Sequence, residues 1–123
     1  MIRIVGVQRS ASPDKEFVLL QNQGSLRLRL KGHLLASEIS FADQDLSFAA
    51  HAFNEEESVP PGMFVILFTG HGQSRWAKTK EGQLIYYTYM GRETPVWENA
   101  PGAIHILDTH HSYCEKPPAL LLK

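Results

Sequence analysis

Residues 102–113 read GAIHILDTHHSY, which puts His105, Asp108, His110 and His111 into one short stretch. Imidazole and carboxylate groups are the side chains that hold zinc, which takes four ligands in structural sites and three plus water in catalytic ones. Whether these four can converge depends on the backbone beneath them. Ala103–Leu107 alternates as a strand does, so with Ile104 and Ile106 inward His105 points away from the face that holds Asp108. The expectation is an exposed strand histidine, followed by a polar turn opened by Asp108 and Thr109, because a short carboxylate bonds backbone groups two residues on. The remaining histidines, His33, His51 and His71, are scattered along the chain. No metal site is expected, and the double variant His110→Ala, His111→Ala should keep its fold and lose no bound metal, which metal analysis of the purified protein checks.

A second stretch, TGHGQSRW (Thr69 to Trp76), has glycines, a histidine and a serine but lacks both the Gly-Lys-Ser/Thr of a phosphate loop and a G-x-S-x-G elbow. It reads as a hairpin loop. Arg75, Trp76, Lys78 and Lys80 form a basic-aromatic group on it that suits a phosphate backbone or an acidic partner, and they are the candidate surface-binding residues. The acidic run NEEES (Asn54 to Ser58) lacks the spaced ligands of a calcium loop and reads as a solvated segment. No catalytic residue, cofactor-binding residue or metal ligand is assigned, and the chain is not expected to be an enzyme.

The elements that position these groups follow from length and pattern. The 123 residues suit one domain over 1–123, and 43% hydrophobic with 20% charged residues is the composition of a folded core. Twelve Lys and Arg against thirteen Asp and Glu leave a net charge of -1, so no global attraction to nucleic acid or anionic membrane arises. The single cysteine, Cys114, makes neither an internal disulfide nor a four-cysteine zinc site. MIRIVGVQRS lacks the long apolar core of a secretory signal, and the most apolar run, MFVILF, is far short of the roughly 20 residues of a membrane helix. The compartment is not assigned.

Strand signals recur along the chain. Ile2–Val7 alternates, with Ile2, Ile4 and Gly6 expected on one face, and Glu16–Asn22 and Leu26–Leu30 are expected to pair as a hairpin. Met63–Phe68 follows Pro60-Pro61-Gly62 as a central buried strand, and Leu84–Met90 and Ala103–Leu107 complete the set. No stretch of twelve residues carries a helical stripe, so the fold class is all-β, a sandwich or barrel. Residues 36–61 take one short strand or a helical turn around Leu46 to Phe53. The inward layer is expected to hold Ile2, Ile4, Val18, Leu20, Leu28, Leu30, Val65, Leu67, Ile85, Tyr87, Ile104 and Ile106, with Trp97 packed near a sheet edge.

Several landmarks in sequence order carry a resemblance. Glu16-Phe17-Val18 with Leu20 and Asn22, Leu30-Lys31-Gly32 with Leu35, Pro61-Gly62 before an apolar strand, Trp97-Glu98-Asn99, and Ile104, Ile106 and Asp108 resemble the lamin-tail domain. The resemblance covers most of the chain and implies an immunoglobulin-like β-sandwich. That family occurs at the tail of nuclear lamins and as a module in many bacterial proteins, and it binds or tethers without catalytic residues. The chain departs from the pattern at Gly32-His33, where the family has Gly-Trp, at Pro101-Gly102, where it has Gly-Asp, and at Leu19, where a polar residue is usual. An apolar Leu19 implies that its face is covered by a loop or another subunit. With neither a coiled-coil rod nor a prenylation box, a bacterial-type stand-alone or excised module is expected.

The function implied is therefore noncatalytic binding or tethering of a protein partner. A carbohydrate- or nucleic-acid-binding sandwich would instead need Trp76, Tyr86, Tyr89 or Trp97 side by side and exposed. A small metal-dependent enzyme, the third alternative, would need His110, His111 and a further ligand around an open site. Strand Ile2–Val7 has only Arg3 to guard its edge and the tail carries Leu120, Leu121 and Leu122, so either the tail folds back over the outer face exposed by Leu19 or it packs against a second copy, and a weak homodimer is the favoured expectation.

Overall fold

The computed structural model describes residues 1–42 and 49–109. The described chain is all-β apart from one helical turn. Its elements are β1 (Ile2–Gln8), β2 (Phe17–Asn22), β3 (Leu28–Arg29), β4 (His33–Ser37), α1 (Glu38–Ala42), β5 (Ala50–Ala52), β6 (Ser58–Val59), β7 (Phe64–Phe68), β8 (Arg75–Lys78), β9 (Leu84–Tyr89) and β10 (Ile104–Asp108). They form a five-stranded sheet in the order β1-β2-β7-β9-β8, a three-stranded sheet β10-β4-β5 and the pair β3-β6. Only β7 and β9 run parallel, because β8 leaves to the sheet edge and returns as the antiparallel neighbour of β9.

One core joins the sheets. Val18 and Leu20 of β2 and Val65 and Leu67 of β7 are fully buried on one face of the five-stranded sheet, against Leu30, Leu35, Val59 and Trp97 from the rest of the chain. Alternation places them there, since each pair is two residues apart on its strand. Ile2 and Ile4 join from β1 as expected, but a bulge between Ile4 and Gly6 turns Gly6 to the opposite face, beside Leu19. Trp97 goes deeper than a sheet edge, being the largest wholly buried side chain.

Strand pairing and facing differ from expectation at particular points. The hairpin between Glu16–Asn22 and Leu26–Leu30 does not form, because β2 already has β1 and β7 on its two edges, and Leu28–Arg29 pairs with β6. Asn22 turns the chain away: its Oδ1 accepts the Gly24 N–H at 3.0 Å, and its amide donates to the carbonyls of Leu26 at 2.8 Å and Val59 at 2.9 Å. On β9 the inward residues are Tyr86 and Thr88 rather than Ile85 and Tyr87. Their register opposite Val65 and Leu67 decides this, for a strand apolar on both faces carries no signal of its own. Asp108 ends β10 opposite His33, Thr109 next to it ties its N–H and hydroxyl to the Gly32 carbonyl, and the rest of the turn expected from Asp108 lies outside the described residues.

Residues 36–61 hold more structure than expected: the end of β4, then α1, β5 and β6. Ser37 caps α1, its Oγ accepting the Ser40 N–H at 3.1 Å. Part of the Leu46–Phe53 segment, residues 46–48, lies outside the described residues.

The central place of β7 gives a direct test. Val65→Asp puts an unpaired carboxylate into the core at a cost on the order of 5 kcal/mol, comparable to the whole stability of a small domain. Loss of the cooperative thermal transition by circular dichroism is expected; a soluble variant with an unchanged midpoint contradicts the core described here.

Candidate functional site

Glu16 is wholly buried at the start of β2. One of its oxygens, Oε2, accepts the Thr69 hydroxyl at 2.6 Å and the backbone N–H groups of Val96 at 2.9 Å and Trp97 at 3.2 Å. The other accepts the Glu98 N–H at 2.7 Å and the Ser10 N–H at 3.5 Å. Burial raises the carboxyl pKa, but the bonds from Thr69 and the three successive backbone N–H groups outweigh it and hold the pKa below the usual carboxylate value. Arg9 closes the same region from outside, donating to the carbonyls of Trp97 and Gly102. The landmarks Glu16, Asn22 and Trp97-Glu98 are thereby engaged in holding backbone.

The other face of the five-stranded sheet is where side chains meet solvent. One ladder row crosses it as Gly6, Leu19, Ile66, Tyr87 and Arg75, and the next holds Phe17, Phe68 and Tyr89. Apart from the exposed Arg75, all are half-buried. Phe68 lies near-parallel to both Tyr87 (6.2 Å, 13°) and Tyr89 (5.7 Å, 18°), with Phe17 edge-on to it at 5.6 Å. The Arg75 guanidinium sits 4.3 Å from the Tyr87 ring centre, and its Nη1 donates to the Tyr89 hydroxyl at 3.0 Å. Beside these rings is a cleft of about 250 Å³ whose polar wall is Asp14, His71 and Arg75. His71 Nε2 and Glu93 Oε1 are 2.5 Å apart at its rim.

The glycines of TGHGQSRW belong to this geometry. A Cβ on Gly72 would run into the Tyr89 ring, and one on Gly70 into the Asp14 carboxylate. They let the loop pass close over the end of the sheet, which is the physical content of that motif.

The predicted group divides. Arg75 and Trp76 begin β8 and point to opposite faces: Arg75 lies over Tyr87, while Trp76 packs on Tyr86 at 5.0 Å and donates Nε1 to Glu57 Oε2 at 3.0 Å. Lys78 shares the parity of Trp76 and is exposed, and Lys80 is exposed in the turn from Thr79 to Gly82. Arg75 alone of the four joins the aromatic face. Phe17, Phe68 and Tyr87 complete it, Tyr87 on the face opposite to the one its strand pattern suggests; the signal for them in the sequence is that EFVLLQN, MFVILF and LIYYTYM are each largely apolar on both faces.

The other candidates resolve as follows. Trp97 and Tyr86 are buried, at 0% and 4% exposure, so the four aromatics named for a sugar or base platform do not assemble on the surface. His105 is exposed, with Nε2 3.7 Å from Glu38 Oε1. His110, His111 and the tail leucines lie outside the described residues. Among the described residues no three His, Cys, Asp or Glu side chains gather for a metal ion, and no helix is long and apolar enough to cross a membrane. The NEEES glutamates are engaged individually: Glu55 accepts from the Thr88 hydroxyl, Glu56 from Lys31, and Glu57 from Trp76. Comparison with protein-family models, curated proteins and solved structures returns no match to the chain.

Glu16 sets a pH dependence. Its folded pKa lies below the ordinary glutamate value of 4.5, so its ionised form stabilises the fold above that pH, and the contribution disappears as pH falls through the folded pKa. Glu16→Gln is expected to cost about 2–4 kcal/mol near neutral pH, since the amide leaves buried donors poorly matched. In urea unfolding the gap between the two proteins should narrow as pH drops below 4.5; a gap that is constant or widens toward acid contradicts the assignment.

Proposed function

We propose that the chain is a noncatalytic binding or tethering module of the lamin-tail type, with that family's immunoglobulin-like β-sandwich, and that the outer face of its five-stranded sheet is the surface that docks a protein partner. One observation carries the reading: the central strands β2, β7 and β9 are largely apolar on both faces, and among the described residues only one of those faces is closed by the core. Antiparallel sheets with one solvated face ordinarily alternate apolar with polar. Here Leu19, Ile66, Phe68, Tyr87 and Tyr89 occupy positions where such a sheet carries polar side chains. Exposed apolar patches ringed by polar groups mark interaction sites, and Arg with Tyr are the residue types enriched at the energetic centre of interfaces.

The buried polar landmarks support the noncatalytic part. Glu16 and Asn22 spend their hydrogen-bonding capacity on backbone and on Thr69. A glycan platform is less favoured, because Arg75 covers Tyr87 and Phe68 lies against Tyr89, leaving little free ring face for a sugar.

A photo-crosslinking residue in place of Tyr87, in the protein expressed in its own cells, should trap a discrete protein adduct. The same residue in place of Lys80, exposed away from this face, should not. Absence of an adduct at position 87, or equal trapping at both positions, overturns the reading.

A further inference from the structure

We infer that the occupant of this face is a second copy of the chain, docked face to face about a two-fold axis that runs along the strands. The inference rests on the docking-surface reading above and names its partner. It comes from the way side-chain size is distributed across the sheet. In the row Gly6, Leu19, Ile66, Tyr87, Arg75 the β1 edge has no side chain, the middle strands carry Leu and Ile, and the two large side chains, Tyr87 and Arg75, stand at the β8 end. One row away the edges are reversed, with Arg3 on β1 and Ala77 on β8.

A two-fold axis parallel to the strands lays β8 of one copy over β1 of the other and keeps each row level. Arg75 then faces the gap at Gly6, and Arg3 faces Ala77, so bulk meets space at both edges. An in-plane axis across the strands would instead lay the two Tyr87–Arg75 ends on each other and leave the two Gly6 ends apart. It would also bring the Arg75 guanidinium groups together, whereas the favoured axis keeps them on opposite sides of the sheet. An isologous contact of this kind needs a self-complementary patch, which the graded row supplies, and aligned face-to-face packing is the ordinary way for two twisted sheets to bury apolar faces.

The size of the face sets the strength. Five strands about 4.8 Å apart and some six residues long make a face of roughly 400 Å² per copy, or about 800 Å² in all. That falls below the standard interface, in the range of transient contacts. The dimer is therefore weak and concentration-dependent. Arg3 and the Arg75 of the other copy share an edge, so added salt, which screens like charges, strengthens it.

Sedimentation equilibrium of the 123-residue chain over a concentration series tests this. The average mass should rise above 13.8 kDa toward twice that value as concentration increases. Gly6 has ordinary backbone geometry, and a Cβ there would meet only Leu19 at van der Waals distance, so substitutions at this position fold. Gly6→Arg should weaken association at least tenfold, and Gly6→Glu, which offers a carboxylate to Arg75 of the other copy, should tighten it. Adding Arg75→Glu to Gly6→Arg should restore it. Ala77→Arg and Ala77→Glu, on the opposite edge, should repeat the same pair of opposite effects, with thermal midpoints confirming that each variant is folded. A chain that stays monomeric at all concentrations overturns the inference, as does a dimer indifferent to both Gly6 and Ala77. A monomer that still crosslinks from position 87 to a different protein overturns it while leaving the docking-surface reading in place.

Discussion

The arrangement of this domain depends on a single buried carboxylate. The segment between β9 and β10 has no strand of its own, yet it delivers Trp97, the largest wholly buried side chain, to the core. What holds that segment is Glu16, whose oxygens accept the N–H groups of Val96, Trp97 and Glu98 together with the Thr69 hydroxyl. A run of backbone N–H groups around an anion is a strong arrangement because the bonds are charge-assisted and their donors have no alternative partner once buried. The same contact ties the start of β2 to the end of β7, where the Thr69 N–H also bonds the Glu16 carbonyl at 3.0 Å. The end of the sheet that carries Phe17, Phe68 and Tyr89 is thus fixed by a polar group on the opposite side of the same strands.

Asn22 does the corresponding work at the other end of β2. Its side chain bonds the carbonyls of Leu26 and Val59 and accepts the Gly24 N–H, so the chain leaves the five-stranded sheet and Leu28–Arg29 pairs elsewhere. Two buried polar residues therefore bracket a six-residue strand and decide its connections. This accounts for an expected hairpin that does not form: the strand signals in Glu16–Asn22 and Leu26–Leu30 are real, but pairing was settled by which edges were already filled.

The outer face shows how register turns composition into a surface. β9 is apolar at nearly every position, so either of its faces could enter the core; placing Val65 opposite Tyr86 and Leu67 opposite Thr88 sends Tyr86 and Thr88 inward and leaves Tyr87 and Tyr89 beside Phe68. Arg75 follows from the same register. Strand alternation then separates it from Trp76 and Lys78, its neighbours in sequence, and gives it to the aromatic group.

Much of this was legible from residue order alone. Alternation located β1, β2, β7, β9 and β10 and set the inward residues of β2 and β7 and of the first half of β1, because a strand with one clearly apolar parity carries its own orientation; the bulge that turns Gly6 outward left no mark in the pattern. It also separated His105 from Asp108, since three positions along an unbulged strand reverse the side-chain direction. The tertiary structure alone decided strand partners, the face of β9, the burial of Glu16 and the grouping of Phe17, Phe68, Tyr87, Tyr89 and Arg75. Each depends on contacts between residues far apart in sequence, as when the Val96 N–H reaches Glu16 eighty positions away. Periodicity along one strand holds no record of which other strand lies beside it, so the pairings that define both the fold and its candidate surface enter only when the chain closes on itself.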